Sequence, residues 1–399
     1  MKTLPGVRTA LAILLVMAVT VSASSANAMS TSAMSTSAMS TSAMSTSAMS
    51  SPSTTPPPPT VRLGVTHVAQ SLDPWGSAAA VRAGEALLAN RPGTLQNQHL
   101  MGWGVGNPEP SPGKYDWSAL DRRVALMRRT RGTPVITLCC APDWMKGGTA
   151  GTTDWSNLEA APLPEHVASF AELARQTALR YPDVKHFMVW NEMKGFWDPS
   201  KNRWRYEDYT KLYNAVYDAL KSVDPTIKVG GPYVSMISQD PRLASHPSAL
   251  TGTWGTVDQR TLDVISYWLA HAHGADFVAV DGSPAAWGGR WLASPADSME
   301  KLRAINRWIR QRSSLPIWWS ELYAVPYSSG PQFTAAERTT IWQQAMRAMN
   351  ESGASVVLFW QPESGARWTG LWTPTDVVTG GRRTTLYDSL SGYMRPVDS

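Results

Sequence analysis

The stretch "EHVASFAELARQTALRYPDVKHFMVWNE", residues Glu165 to Glu192, places a helix and a strand in succession. Its first part carries apolar residues at three- and four-residue spacing, which is typical of an amphipathic helix. Its last seven residues form a short apolar run that ends in Asn191 and Glu192. A buried strand next to an amphipathic helix predicts a βα unit and a parallel sheet.

The same alternation continues along the chain. Eight apolar runs are predicted as strands, near residues 61–69, 94–100, 134–142, 186–192, 227–234, 275–282, 315–323 and 354–361. Each is followed by a helix or a plausible helix site, such as residues 206–223, so the count predicts a (β/α)8 barrel. A doubly wound open sheet is the alternative, but no glycine-rich dinucleotide turn follows the first strand. We therefore expect an α/β fold, a single-domain TIM barrel, over residues 61–399.

Two segments precede the barrel pattern. Residues 1–28 have a basic start, an apolar run too short to span a bilayer and an Ala-Asn-Ala cleavage site, so we expect a signal peptide and a secreted protein. Residues 29–60 contain four copies of MSTSA and a proline-rich run, which predict a disordered linker without catalytic residues. Its Ser and Thr content makes it a candidate for glycosylation and for association with the cell surface.

The composition narrows the class of protein. With 43% hydrophobic and 17% charged residues, the 399-residue chain is typical of a globular protein. A net charge of +5 does not indicate nucleic acid or a membrane surface as a partner. Nineteen tryptophans are many, and tryptophan is used both in cores and in sugar-stacking clefts. The adjacent Cys139 and Cys140 are expected to be two buried thiols, because a bridge between neighbours demands a distorted peptide.

Two glutamates follow apolar strands at the end of the barrel where catalytic residues lie. Glu192 ends the fourth predicted strand and Glu321, in "IWWSELY", ends the seventh. Glycosidic bond cleavage needs two carboxyl groups across a cleft, one to protonate the leaving oxygen and one to attack the anomeric carbon or activate water. The pair therefore predicts glycosidase chemistry; alone, a strand-end glutamate is as often a structural ion-pair partner.

These residues resemble a known group of enzymes. The "WNE" and "SE" strand ends, the "YDW" after the second strand and the last-strand Trp360 are similar to clan A of the retaining glycoside hydrolases, over about residues 61–392. The nearest resemblance is to family 39, which includes β-xylosidases and exopolysaccharide hydrolases. It implies that Glu192 is the general acid/base and Glu321 the nucleophile. It also implies that Asn191 binds the sugar 2-hydroxyl and that Trp360 forms a platform under the ring.

The sequence departs from the family pattern at several positions. Met193 and Lys194 follow Glu192 where the family commonly has Pro-Asn, and Leu322 follows Glu321 where it has Trp. The sixth strand ends in Asp281 where clan members often carry His or Tyr. Both glutamates are present despite these differences, but the sequence does not determine the substrate.

The proposed roles require different protonation states. An acid/base must start protonated, so the pKa of Glu192 should be raised by apolar sequence neighbours. Those neighbours are Met188, Met193, Phe196 and Trp197. The nucleophile Glu321 should be ionised and accept hydrogen bonds from Ser or Tyr. We predict retained anomeric configuration and carboxyl groups about 5–5.5 Å apart.

Other candidate substrate-binding residues have two interpretations each. His99, after the second strand, can bind a sugar hydroxyl or serve as a hydrogen-bonded scaffold. Trp144 can stack on a sugar or belong to the core. Trp197 and Lys194 lie in the loop after the fourth strand and can form a substrate rim. A basic residue there suggests anionic sugars, although a solvated loop charge is favoured.

No sequence feature predicts a metal or cofactor. His271 and His273 are two residues apart, on different faces of a helix, and neither a phosphate loop nor a serine elbow is present. We expect a monomeric enzyme that degrades polysaccharide or oligosaccharide. The alternatives are a catalytically inactive carbohydrate-binding barrel, a surface-display protein and a metal-dependent hydrolase.

Overall fold

The computed structural model describes residues 60–69, 71–72, 75–326, 333–365 and 368–396. The expected signal peptide and all but the last residue of the expected linker lie outside these ranges. Both therefore stay predictions. Within the described part of the chain, no helix combines the length and apolar character needed to cross a bilayer.

Eight parallel strands close into a barrel. They are β1 (Arg62–Thr66), β2 (Leu95–His99), β3 (Thr133–Leu138), β4 (His186–Val189), β5 (Lys228–Ser235), β6 (Phe277–Gly282), β7 (Ile317–Leu322) and β8 (Val356–Trp360). Each strand pairs with the strands before and after it in the chain, and β8 pairs with β1. All eight predicted strands are therefore present.

One α-helix follows each strand. The helices are α1 (Ala78–Ala89), α2 (Ser118–Arg129), α3 (Val167–Arg180), α4 (Tyr206–Val223), α5 (Gln259–His271), α6 (Pro295–Arg310), α7 (Ala335–Glu351) and α8 (Thr385–Leu390). The bounds of α4 are the predicted ones. The predicted single-domain (β/α)8 barrel is confirmed.

Two hydrophobic cores stabilise the barrel. The smaller one fills its interior and consists of Leu95, Val135, Met188, Tyr233, Phe277, Ala279, Trp318, Val356 and Leu358. The larger one lies between the strands and the helices. Trp318 stacks on Phe277 in the interior at 4.1 Å between ring centroids, whereas the indole N–H of Trp319 donates to Asn306 of α6 at 2.8 Å. The two tryptophans therefore point to opposite sides of the strand.

Two bulges interrupt the regular pairing of the strands around β6. On one side of β6, Ala279 and Val280 pair with Pro232 and Val234, so Tyr233 of β5 is the extra residue. On the other side, Val280 and Asp281 pair with Trp319 and Glu321, so Ser320 of β7 is extra. A bulge shifts the alternation of side chains and re-aims those that follow it. These bulges lie near the end of the barrel that carries the glutamates.

The loops after β4 and β5 contain small antiparallel sheets that the sequence did not predict. A hairpin of Trp197–Asp198 and Arg203–Trp204 follows β4. A three-stranded sheet of Ser238–Gln239, Pro247–Gly252 and Gly255–Asp258 follows β5. Most of these strands are too short to show a periodic apolar pattern. They enlarge the rim of the barrel at the carboxyl ends of the strands.

The expectation of two free thiols is wrong. Cys139 and Cys140, directly after β3, form a disulfide with an S–S distance of 2.03 Å, and both residues are fully buried. The peptide bond between them is cis and their Cα atoms are 3.0 Å apart. The distorted peptide that such a bridge demands is present as a cis bond, which brings the Cα atoms closer than the about 3.8 Å of a trans peptide.

Candidate active site

The turn after β4 holds Glu192 in an unusual backbone conformation. Trp190, Glu192 and Met193 have positive φ values of 70°, 48° and 58°. Non-glycine residues in this region cost roughly 1–3 kcal/mol each, and such residues cluster at functional sites. The indole N–H of Trp190 donates to the carbonyl of Lys194 at 2.7 Å, which closes the turn. Glu192 therefore lies three residues beyond the last strand residue, Val189, rather than in the strand.

Glu321 lies within β7 and is almost fully buried. The phenol of Tyr233 donates to its Oε1 at 2.5 Å, and the phenol of Tyr323 donates to its Oε2. Burial raises the pKa of Glu321 to about 8, and the charge of Glu192 acts in the same direction, whereas the two phenols oppose the shift. One donor on each oxygen is the arrangement that stabilises a carboxylate.

Tyr233 can act only as a donor to this carboxylate. It is fully buried, and burial together with the charge of Glu321 raises its pKa well above the usual value. The phenol therefore keeps its proton. The structure agrees with the expectation that Glu321 accepts hydrogen bonds from tyrosine.

Glu192 faces a lysine from its own turn. Nζ of Lys194 lies 2.7 Å from Oε2 of Glu192 and 2.8 Å from Oε1 of Glu159. Burial lowers the pKa of Lys194, but the two carboxylates raise it by more, so the side chain stays charged. Lys194 is thus a partner of two acids, and the suggestion that it binds anionic sugars loses its basis.

A third carboxyl group belongs to the same site. Asp281 of β6 pairs through its Cα with Glu321 of β7, and its side chain contacts the carboxyl group of Glu192. The hydroxyl of Ser235 donates to Oδ2 of Asp281 at 2.8 Å. Burial raises the pKa of Asp281 well above its usual value, and the charges of Glu192 and Glu321 add to this.

This charge distribution differs from the one expected from sequence neighbours. Met193 and Phe196 are buried in the core between strands and helices, and Met188 lies in the barrel interior, where Ser320 contacts its sulfur. The polar partners of Glu192 are Lys194 and Asp281. The raised pKa values fall on Glu321 and Asp281, because these two carboxyl groups are the buried ones.

Asn191 and His99 lie side by side next to this cluster. Nε2 of His99 is 3.4 Å from Oδ1 of Asn191, and Nδ2 of Asn191 donates to Oε1 of Glu159 at 3.1 Å. Burial lowers the pKa of His99 to about 3, so the ring is neutral near pH 7. A neutral His99 that donates from Nε2 leaves Nδ1 as an acceptor.

Three half-buried aromatic residues adjoin the carboxyl cluster. Trp103 lies against His99 at 4.1 Å between ring centroids, and Trp360 lies edge-on to both rings at 5.9 and 6.2 Å. The ring of Tyr323, the partner of Glu321, is 6.4 Å from Trp360. Trp360 is therefore connected to Glu321 through Tyr323, and its role toward a sugar stays a prediction.

Trp144 and Trp197, the other two tryptophans predicted to bind substrate, make structural contacts in the loops of the rim. The indole of Trp144 donates to the carbonyl of Glu109 at 2.9 Å and lies edge-on to His166. Trp197 packs against Trp204 across the hairpin and lies under the guanidinium of Arg260 at 5.0 Å. Both indoles are half-buried, and their roles toward substrate stay predictions.

Sequence reasoning missed several site residues. Tyr233, Trp103 and Glu159 were not singled out, and Tyr323 was not named as the donor to Glu321. Only Tyr323 had a usable signal, because it follows Glu321 by two residues on a strand and can lie on the same face. Within the described residues, no group of three His, Cys, Asp or Glu side chains has the geometry of a metal site.

The chain is similar to a known protein family and to several solved structures. A family model described as glycosyl hydrolases family 39 matches residues 109–345. No curated protein matched the chain. The solved structures that resemble it include a glucosidase from Croceicoccus marinus, with 16% identity and a TM-score of 0.51 over 81% of this chain and 64% of that one.

Two further structures have the same fold. A monomeric β-xylosidase from Caulobacter crescentus has 16% identity and a TM-score of 0.56, covering 84% of this chain and 68% of that chain. An exo-β-1,4-mannosidase from an Opitutaceae bacterium has 16% identity and a TM-score of 0.54, covering 84% and 59%. This chain spans about two thirds of the length of such proteins or less, and at this identity the likeness concerns the fold alone. The family match covers more than half of the chain, and the protein therefore belongs to family 39 of the glycosyl hydrolases, a clan A family.

Proposed function

We propose that the protein is a secreted, retaining O-glycoside hydrolase that acts on oligosaccharides or polysaccharides. The observation that carries the proposal is the pair of phenols on Glu321, one on each carboxylate oxygen, at the end of the barrel that also holds Glu192. A carboxylate held in this way is oriented for attack, and the two hydrogen bonds favour its ionised form against the burial that raises its pKa. Family membership supplies the reaction class.

The reaction would proceed by double displacement. Glu321 attacks the anomeric carbon, the bond from that carbon to the leaving oxygen breaks, and Glu192 delivers a proton to the leaving oxygen. The product of this step is a glycosyl ester on Glu321. Water then attacks the anomeric carbon while Glu192 takes its proton, and the ester bond breaks. The predicted carboxyl separation of about 5–5.5 Å belongs to this mechanism.

The surroundings of the glutamates support these roles. Tyr233 and Tyr323 can release their hydrogen bonds to Glu321 as the ester forms and restore them when it breaks. His99 and Asn191 offer a neutral acceptor and an amide beside the carboxyl groups, which suit the binding of sugar hydroxyls. Trp360 and Trp103 provide aromatic faces for a sugar ring.

The substrate belongs to the neutral glycans of plant or microbial cell walls or to exopolysaccharides. Lys194, the basic residue next to the acid/base, is already paired with Glu192 and Glu159, so it offers no free charge to a uronate. Relatives of the fold are named as a β-xylosidase, a glucosidase and an exo-β-1,4-mannosidase. We propose that the enzyme is exported and acts as a monomer on β-linked sugars of this kind.

The test is a screen on aryl β-xylosides, β-glucosides and β-mannosides and on β-linked polysaccharides. Glu192→Gln and Glu321→Gln are compared with Glu207→Gln, a control on α4 whose partner is Arg203. Both site variants should lose at least about 100-fold in turnover of the disaccharide or polysaccharide that the wild type hydrolyses, and the control should keep full activity. NMR of the first product should show retained configuration; inversion, or full activity of both site variants, would refute the proposal.

One observation favours a second candidate function. An ion pair between Lys194 and Glu192 requires an ionised Glu192, and an ionised group cannot donate the proton that the first step needs. A carbohydrate-binding barrel without activity would be compatible with this. It predicts sugar binding by calorimetry and no release of reducing ends from any glycan.

A further inference from the structure

The acid/base residue has an electrostatic problem that the family mechanism does not explain. Lys194 forms an ion pair with Oε2 of Glu192, with 2.7 Å between Nζ and Oε2. The Glu192 side chain is only 17% exposed, so water screens this contact weakly. A proton that belongs to the acid must therefore be held close to Glu192 by another group.

Asp281 is placed to hold that proton. It lies at the end of β6, between β5 and β7, and its Cα pairs with Ser235 on one side and with Glu321 on the other. Its side chain is 1% exposed and lies in hydrogen-bonding contact with Glu192. Two carboxyl groups in such contact repel each other unless one of them carries a proton.

The hydrogen bonds of Asp281 identify the oxygen that can carry the proton. Oδ2 accepts a hydrogen bond from Ser235, whereas the buried Oδ1 receives none from a donor group in the described part of the chain. A buried carboxylate oxygen without a donor is costly. A proton on Oδ1, donated to Glu192, satisfies both carboxyl groups at once.

We propose that Asp281 is protonated in the resting enzyme and that it shares the acid proton with Glu192 as a carboxyl pair. The inference rests on the proposed glycosidase function and deepens it. Asp281 acts through Glu192 and is therefore a positioning residue. The pair lets Glu192 keep its contact with Lys194 and still deliver a proton.

The proton balance closes over the two steps. In the first step the proton of Asp281 passes to Glu192, which delivers it to the leaving oxygen. Asp281 and Glu192 are then both carboxylates. In the second step the proton of the attacking water passes to Glu192 and returns the pair to its resting state. No other reactant is needed.

A buried lysine interacts electrostatically with Asp281. Lys301 of α6 is fully buried and donates to the carbonyl of Ala285 at 3.0 Å. Burial lowers the pKa of Lys301 to about 7, and the charge of Asp281 opposes this. A carboxylate formed on Asp281 during the first step therefore favours the charged form of Lys301. The charged and titratable groups that face Asp281 are Glu192, Glu321, Tyr233 and Lys301, with Lys194 beyond Glu192.

The first test reads the proton of Asp281 without using activity. Infrared difference spectroscopy of the full chain at pH 7 should show a protonated-carboxyl C=O band that Asp281→Asn removes. Ser235→Ala, which takes away the donor to Oδ2, should keep this band with a shifted frequency. A pH 7 spectrum in which Asp281→Asn removes no such band overturns the proposal even if no substrate is found. A remaining band that Glu321→Gln removes belongs to Glu321, whose pKa is also raised, to about 8.

The second test separates proton supply from folding. Asp281→Asn keeps a hydrogen-bond donor but has no proton to release. It should lose about 100- to 1,000-fold in kcat/KM on a disaccharide, whose leaving group needs an acid. On a dinitrophenyl glycoside, whose leaving group needs none, the loss should be less than about threefold. Equal losses on the two substrates would mean that Asp281 has only a structural role, and no loss on either would mean that it has none.

A double variant guards against a misleading result. Lys194→Met removes the cation that disfavours a proton on Glu192. The double variant Asp281→Asn with Lys194→Met should therefore be at least about tenfold more active on the disaccharide than Asp281→Asn alone. If the double variant is no better than Asp281→Asn, the pair does not share the proton.

If Asp281→Asn is active on both substrates while Glu321→Gln is inactive, this inference fails and the proposed function stands. If the wild type hydrolyses no glycoside, the proposed function fails and the infrared band alone decides the proton of Asp281.

Discussion

The phenol oxygen of Tyr233 lies 2.5 Å from Oε1 of Glu321, and the two residues come from the two strands that flank β6. Each strand carries a bulge at this level, with Tyr233 itself as the extra residue on one side and Ser320, directly before Glu321, on the other. Regular alternation would send side chains one residue apart to opposite faces. The bulges bring the phenol and the carboxylate together in the barrel.

Replacing this phenol should move the pH dependence of the enzyme. The reaction needs ionised Glu321, whose pKa is raised to about 8, so kcat/KM should fall as the pH is lowered through this value. The Tyr233 hydrogen bond lowers that pKa. Tyr233→Phe should therefore shift the fall in kcat/KM, which is the acid limb of the pH profile, to higher pH. A hydrogen bond to a charged group contributes about 1.5–3 kcal/mol, which corresponds to roughly one to two pH units.

The measurement is kcat/KM from pH 5 to pH 10 on one aryl glycoside. Tyr213→Phe is the matched control, because Tyr213 is also buried but donates to the carbonyls of Val229 and Gly274. Its acid limb should not move. An acid limb that stays in place in Tyr233→Phe, or moves to lower pH, would exclude Glu321 as the group that controls it.

The two glutamates should respond differently to the leaving group. Glu192→Ala removes the acid, so it should lose about 100- to 10,000-fold on a substrate with a poor leaving group. Its first step on a dinitrophenyl glycoside should survive, because that leaving group needs no proton. Glu321→Ala should lose turnover on both substrates, since it removes the group that forms the ester.

Added azide distinguishes the roles directly. With Glu192→Ala it should attack the glycosyl ester and give a glycosyl azide of retained configuration. With Glu321→Ala it should take the place of the nucleophile and give the inverted azide. The opposite pairing of variant and product, read by NMR, would exchange the two assignments.

Trp360 should contribute to substrate binding. Trp360→Ala removes the ring that lies edge-on to His99 and Trp103, and stacking of this kind contributes about 0.5–1.5 kcal/mol beyond area burial. KM should rise roughly 3- to 10-fold with a smaller change in kcat. Trp155→Ala, at an indole that is 52% exposed, is the control. Unchanged KM in Trp360→Ala on every accepted substrate would remove Trp360 from the binding site.

The sequence predicted those features that depend on local pattern. The eight strands and the helix α4 follow from apolar periodicity, and Glu321 follows from its place at the end of an apolar run. Glu192 was predicted at the end of the fourth strand, but the strand ends at Val189 and a turn with positive φ values carries the carboxyl group. Such a turn is formed by non-glycine residues, so composition gave no sign of it.

What the sequence did not predict depends on contacts between distant residues. Tyr233 and Glu321 are 88 positions apart, and Lys194 and Glu159 are 35 apart. The bulges that aim the first pair are properties of strand pairing, which a single sequence does not display. The expected apolar environment of Glu192 was wrong because Met193 and Phe196 lie in the core between the strands and the helices, while Lys194 and Asp281 reach the carboxyl group.

The last prediction concerns the contribution of the barrel interior to the stability of the fold. Trp318 is buried among the side chains inside the barrel and stacks on Phe277 and on His186. Trp318→Ala leaves a cavity that the rigid ring of strands cannot close, so the free energy of unfolding should fall by about 3–5 kcal/mol. Guanidinium denaturation followed by circular dichroism measures this, with Trp155→Ala as the exposed control expected to change by less than about 0.5 kcal/mol. Similar losses in the two variants would mean that Trp318 does not fill the interior.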